Sequence, residues 1–133
     1  MLFNVESQKE LGKGTAFLVA PNILLTCAHN VWDLPSKKFT TNLRFFPGLH
    51  GKVRLTDGFK VEEKEGRPVI FVPRQYREGQ QEYDFAFIKL EQEVKMKSYL
   101  PILRGCTRYE QVLKVCGYAL QAGNFVFDEE RWL

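Results

Sequence analysis

Two side chains in this sequence have the types and settings for proton-transfer chemistry. His29 follows an apolar run in Ile23-Leu24-Leu25-Thr26-Cys27-Ala28-His29. Asp84 precedes another in Tyr83-Asp84-Phe85-Ala86-Phe87-Ile88-Lys89-Leu90. An imidazole takes and returns a proton near neutral pH, and a carboxylate against its other nitrogen fixes the tautomer and stabilises the imidazolium. Such a pair must be held rigidly, and each residue stands at one end of an apparent strand. Taken singly, each has a plainer explanation: a histidine in a turn is usually packed or partly exposed, and an Asp before an apolar strand usually caps a turn. Taken together, in this order and between these strands, the paired reading is the stronger.

The other candidates are weaker. Cys27, Cys106 and Cys116 form an odd set without Cys-x-x-Cys spacing, so neither a disulfide framework nor a zinc motif is expected. They read as small, buried, inert thiols. A zinc site built from Cys27, His29 and His50 is a minor alternative without a paired motif behind it, so no metal and no cofactor is expected. His50, in Leu49-His50-Gly51, reads as a surface-loop residue. The start, Met1-Leu2-Phe3-Asn4-Val5-Glu6, lacks the basic region and long apolar run of a secretory signal. With the cysteine usage, that makes an intracellular protein the expectation.

The elements needed to position the pair are strands. Gly14–Val19 and Ile23–Cys27 flank the turn at Ala20-Pro21-Asn22 and predict a hairpin. Ala28–Trp32 reads as a helical turn, and Asn42–Phe46 as a third strand ended by Pro47-Gly48. Asp57-Gly58 and Gly66-Arg67-Pro68 divide two or three more, ending at Val69–Val72, with Val61–Arg67 a solvated hairpin. A polar loop over 74–82 precedes a strand opening at Asp84, apolar on both faces as a buried barrel strand is. About six strands between residues 14 and 90 predict an all-β fold, a small antiparallel barrel. Glu91 to Ser98 reads as a charged connector, followed by strands at Gln111–Cys116 and Phe125–Phe127. Residues 1–98 then form a first barrel carrying His29 and Asp84, and residues 99–133 the incomplete start of a second.

These motifs resemble the opening of the chymotrypsin-fold, trypsin-like serine peptidases. That family has a Gly-x-Gly/Ala-Phe strand, then an apolar strand ending in Thr-Ala-Ala-His, and later an Asp-Ile-Ala-Leu-Leu-Lys-Leu strand. Here the two residues are separated by 84 − 29 = 55 positions, room for the remaining strands. Phe46-Pro47-Gly48 and Val115-Cys116-Gly117-Tyr118, with Trp132 beyond, are similar to the glutamyl-endopeptidase branch. The resemblance implies that His29 is the base and Asp84 the orienting acid of a Ser-His-Asp triad, acting on protein or peptide substrates. Asn30 stands where the family often has a disulfide-bonded Cys, and Cys27 replaces an Ala. The family's Gly-Asp/Asn-Ser-Gly segment is missing: Ser7, Ser36 and Ser98 have no glycine neighbour. Without nucleophile and oxyanion hole this chain alone forms no acyl-enzyme.

Composition removes other classes. Charge is +3, with 19 basic and 16 acidic residues interleaved, which leaves no cationic stripe for a nucleic acid. No apolar stretch reaches the roughly 20 residues of a membrane helix. The reading is therefore a truncated trypsin-like endopeptidase, completed by sequence elsewhere. The alternative is a non-catalytic pseudo-peptidase serving as a protein-binding or regulatory module, and an unrelated β-barrel ranks third. An unfinished second barrel also invites self-association, or a partner chain, through its strand edges.

Overall fold

Apolar residues at every second position set the frame of the molecule. A computed structural model describes residues 2–7, 13–48, 56–95, 99–102, 104–105, 114–121 and 124–132. The strands are β1 (Leu2–Ser7), β2 (Lys13–Ala20), β3 (Ile23–Thr26), β4 (Trp32–Asp33), β5 (Lys38–Phe39), β6 (Leu43–Pro47), β7 (Glu63–Lys64), β8 (Arg67–Pro68) and β9 (Ile70–Phe71). The short helix α1 (Arg74–Arg77) leads to β10 (Ala86–Lys89), and β11 (Lys114–Gln121) and β12 (Asn124–Trp132) close the order. Two 3-10 turns, Ala28–Asn30 and Gln81–Tyr83, follow β3 and α1.

Six strands form one antiparallel sheet in the order β6-β1-β2-β3-β10-β9. Register explains its core. Thr26 pairs with Ala16 on one side and Ala86 on the other, and Leu24 with Leu18 and Ile88. All six are buried, so a row of small residues lies beside a row of large aliphatic ones. Each fully buried Leu or Ile stabilises the fold by about 1.5–3 kcal/mol relative to exposure. Val31, Phe45, Val72, Tyr76 and Leu90 complete the same core.

The expected barrel is met in part. The ladder does not close among the described residues. Residues 59 to 62 come nearest to joining its two sides. Phe59 exchanges backbone hydrogen bonds with Phe45 at 3.1 and 2.8 Å, while the N–H groups of Glu62 and Glu91 donate to Lys89 and Lys60. They give isolated bridges rather than a strand. The reason is local: Gly58 precedes them with φ +83°, a left-handed conformation that suits glycine, and the charged β7–β8 hairpin follows directly.

Other expectations hold with shifted bounds. β2 and β3 form the expected hairpin, with a register shift between Leu18 and Ala20. β1 had not been expected as a strand, yet it pairs with both β2 and β6. The loop over 74–82 contains α1. The N–H groups of Leu90, Val94 and Leu100 donate to Asn22, Pro21 and Leu18, so the charged connector is tied to the β2–β3 hairpin. β11 and β12 pair in an antiparallel ribbon longer than the strands expected there. Residues 111–113, His50, Ser98 and Cys106 lie outside the described residues.

Candidate functional site

Antiparallel pairing brings His29 and Asp84 to the same end of the sheet. β3 leaves at Thr26 where β10 enters at Ala86, its partner in register. A residue three positions after Thr26 and one two positions before Ala86 therefore emerge side by side, whatever their distance in sequence. Each is then carried by a 3-10 turn. Ala28–Asn30 holds His29, and Gln81–Tyr83 ends at Asp84, whose φ −73° and ψ 68° turn the chain into β10. Asp84 thus stands before the strand that it had been expected to open.

One carboxylate grips both ends of the histidine. Asp84 Oδ1 accepts the His29 backbone N–H at 2.9 Å, and Oδ2 meets ring Nδ1 at 2.7 Å. Burial alone would push the Asp84 carboxyl up. The bonds from the His29 ring and backbone, with the Ala28 N–H beside them, outweigh it and hold the group below its ordinary value. Asp84 is therefore the ionised partner at neutral pH. A neutral His29 then carries its proton on Nδ1 and leaves Nε2 as an acceptor. The His29 side chain is 61% exposed and that of Asp84 29%, so the ring is open to an incoming group while its anchor is sheltered.

A polar relay behind the turn fixes its position. Asn30 Nδ2 donates to Thr26 Oγ1 at 2.9 Å, and Thr26 Oγ1 donates to the Thr15 carbonyl at 2.7 Å. The Tyr118 N–H of β11 in turn donates to Thr15 Oγ1 at 2.9 Å. Gly14 makes room for it: a Cβ there would sit 2.6–2.7 Å from the Asn30 amide atoms. Tyr76 of α1 is buried in the core near the pair; burial first, then the charges of Asp84 and Cys27, push its hydroxyl up. Neither Tyr76 nor this relay was expected, although an aromatic residue inside an otherwise polar loop was a visible sign of the first.

Cys27 departs from expectation. Strand β3 alternates, with Leu24 and Thr26 inward, and the same period turns Cys27 to the open side. It is exposed, and its thiol lies with a nitrogen of His29 and an oxygen of Asp84 in a cluster whose ligand atoms are all within 4.8 Å of one another. Burial of the thiol group, then the Asp84 charge, push its pKa above 9.0. His50, the third member of the minor zinc alternative, lies outside the described residues. A groove of about 520 Å³ lies elsewhere, lined by Phe39, Asn42, Arg44, Lys60, Glu63 and Ile70 among others, and includes neither His29 nor Asp84. Ser36 sits in the β4–β5 turn, its N–H donating to Asp33.

No family model matches the sequence, and no curated protein does. Among solved structures, the chain is similar to a Glu endopeptidase solved in complex with MPD, with a TM-score of 0.77 and 21% identity. The match covers 98% of this chain and 58% of that one, so this chain spans a little over half the length of its structural counterpart. The resemblance to a chymotrypsin-fold protease read from the motifs is thus present in three dimensions. What the two share is the fold of part of such a protein.

Proposed function

We propose that this chain is the base-and-acid portion of a trypsin-like serine endopeptidase, with the nucleophilic serine supplied from outside this sequence. The observation that carries the reading is the two-point grip of Asp84 on His29, on the fold of a protease half. In the proposed reaction a serine hydroxyl approaches His29 Nε2, which takes its proton as the oxygen attacks the peptide carbonyl. Asp84 stays ionised, holds Nδ1–H and stabilises the imidazolium. His29 then returns the proton to the leaving amine, and the same residues repeat the transfer with water to release the acyl group. The exposed ring and its sheltered carboxylate suit those two roles.

The test is covalent labelling of the native protein in its source with a fluorophosphonate probe, followed by intact-mass measurement. The expected result is labelling of a species larger than the 15.5 kDa of this sequence. A native species of this mass that takes no label, alone or with its partners, would refute the peptidase and leave the non-catalytic binding module.

A further inference from the structure

We propose that Cys27, His29 and Asp84 form a binding site for a thiophilic divalent cation of the zinc class, one that switches the histidine off as a base. Three different donor types converge here, a thiol, an imidazole nitrogen and a carboxylate oxygen, all within 4.8 Å of one another. Ideal bonds of about 2.0–2.3 Å to a tetrahedral centre would set such atoms about 3.3–3.6 Å apart. The side chains need to move by an ångström or so at the widest pair. Cys27 and His29 are both exposed and can rotate. Asp84 keeps its Oδ1 bond to the His29 N–H while Oδ2 turns to the metal.

The protons balance. The cation takes the place of the proton between Nδ1 and Oδ2, now 2.7 Å apart. That proton is replaced by one on Nε2, so the ring stays neutral in its other tautomer. The thiol releases its own proton to solvent, since only the thiolate is a ligand. Binding therefore liberates one proton and tightens as pH rises. It also leaves Nε2 protonated, unable to accept from a hydroxyl. A fourth position stays open to water; before binding Asp84 is the one charged group of the three, and the nearby Tyr76 hydroxyl, pushed up by burial and by Asp84 and Cys27, stays neutral.

Binding is read on the chain itself and needs no serine; only the switching consequence rests on the proposed peptidase. The test is titration of the whole chain with Cd²⁺, followed by its thiolate-to-metal ultraviolet band, and with Zn²⁺ by calorimetry in two buffers of different ionisation enthalpy. The expected result is one equivalent bound, about one proton released, and a ¹⁵N spectrum in which His29 moves its proton to Nε2. Affinity should fall by at least about 10-fold in Cys27→Ala and in Asp84→Asn, since losing even a hydrogen-bond partner of a ligand costs roughly 10–100-fold. It should survive when Cys106 and Cys116 are both replaced by Ser. No saturable band, or a band that persists in Cys27→Ala, overturns the site; undiminished affinity in Asp84→Asn overturns its third ligand and with it the tautomer switch. Absent fluorophosphonate labelling would leave a measured metal site standing, and an absent metal site would leave the peptidase standing.

Discussion

Replacing Asp84 with Asn changes one atom and should reverse the tautomer of His29. The backbone decides the outcome. The His29 N–H must donate to something at 2.9 Å, and only the amide oxygen of an Asn can accept it. The amide NH₂ then faces ring Nδ1, across the present 2.7 Å contact, so Nδ1 must become the acceptor and the proton must sit on Nε2. The flipped amide would set NH₂ against N–H and cost about 1–3 kcal/mol in an unmet donor. Both hydrogen bonds survive, but each loses its charge assistance, roughly 1 kcal/mol apiece where water is excluded. The 61% exposed ring keeps little of that, and the variant escapes the burial cost of a carboxylate, so the net loss of stability is about 1 kcal/mol. The assay is a long-range ¹H–¹⁵N spectrum of His29 at a pH where the ring is neutral, with urea denaturation alongside. The expected result is an unprotonated Nε2 in the wild type and a protonated one in Asp84→Asn. In a completed peptidase the same reversal should lower kcat by about 10⁴-fold, the size seen for this substitution in a Ser-His-Asp triad. A wild-type tautomer in the folded variant would refute the two-point grip as what sets it.

Three further outcomes follow from the same geometry. Because the folded-state value for Asp84 is lowered, its stabilisation is fully present above the ordinary 3.8 and is lost as pH falls through the folded value; the urea midpoints of wild type and Asp84→Asn should converge in that acid window. A midpoint gap that stays constant to low pH would contradict the sign. Gly14→Ala should destabilise by about 1–3 kcal/mol through the crowded Asn30 amide, and much less in an Asn30→Ala background, a coupling that a double-mutant cycle of denaturation curves measures. Thr15→Val removes the Thr15 hydroxyl as acceptor for the Tyr118 N–H; amide exchange at Tyr118 should accelerate by roughly fivefold, for a bond worth about 1 kcal/mol, with the β2–β3 amides unchanged.

The sequence made the site legible because strand alternation is a local signal and antiparallel pairing turns it into position. Leu24 and Thr26 inward, Ala86 and Ile88 inward: once these match, His29 and Asp84 have to meet. Cys27 obeys the same alternation and faces outward, although its residue type favours a core position. Phe3 and Val5 of β1 alternate with Asn4 and Glu6, but the partners of β1, β2 and β6, are not adjacent to each other in sequence, and nothing local announces such a pairing. That the ladder stays open among the described residues has another origin. Bridging needs a regular strand over residues 59 to 62, and the left-handed Gly58 before it and the charged hairpin after it leave only isolated bridges. Tyr76 was hidden because a four-residue helix has too few positions to show a period.

One residue of β2 ties the turn that holds His29 to strand β11. Thr15 of β2 accepts the Thr26 hydroxyl through its carbonyl and the Tyr118 N–H through its own hydroxyl. The first bond fixes the start of the turn that holds His29, by way of Asn30. The second pins β11, more than a hundred residues along the chain, to the same residue. A Cβ at Gly117 would already stand 3.3 Å from that hydroxyl, which is why the contact falls beside a glycine. In the proposed peptidase, any nucleophile carried by strands following β11 is therefore measured against the same Thr15 that measures the base. An error of about 1 Å between base and nucleophile can cost 10²-fold in rate. Two hydrogen bonds to one residue are a direct way to keep the two halves in common register. Separating them should loosen that geometry without touching His29 or Asp84.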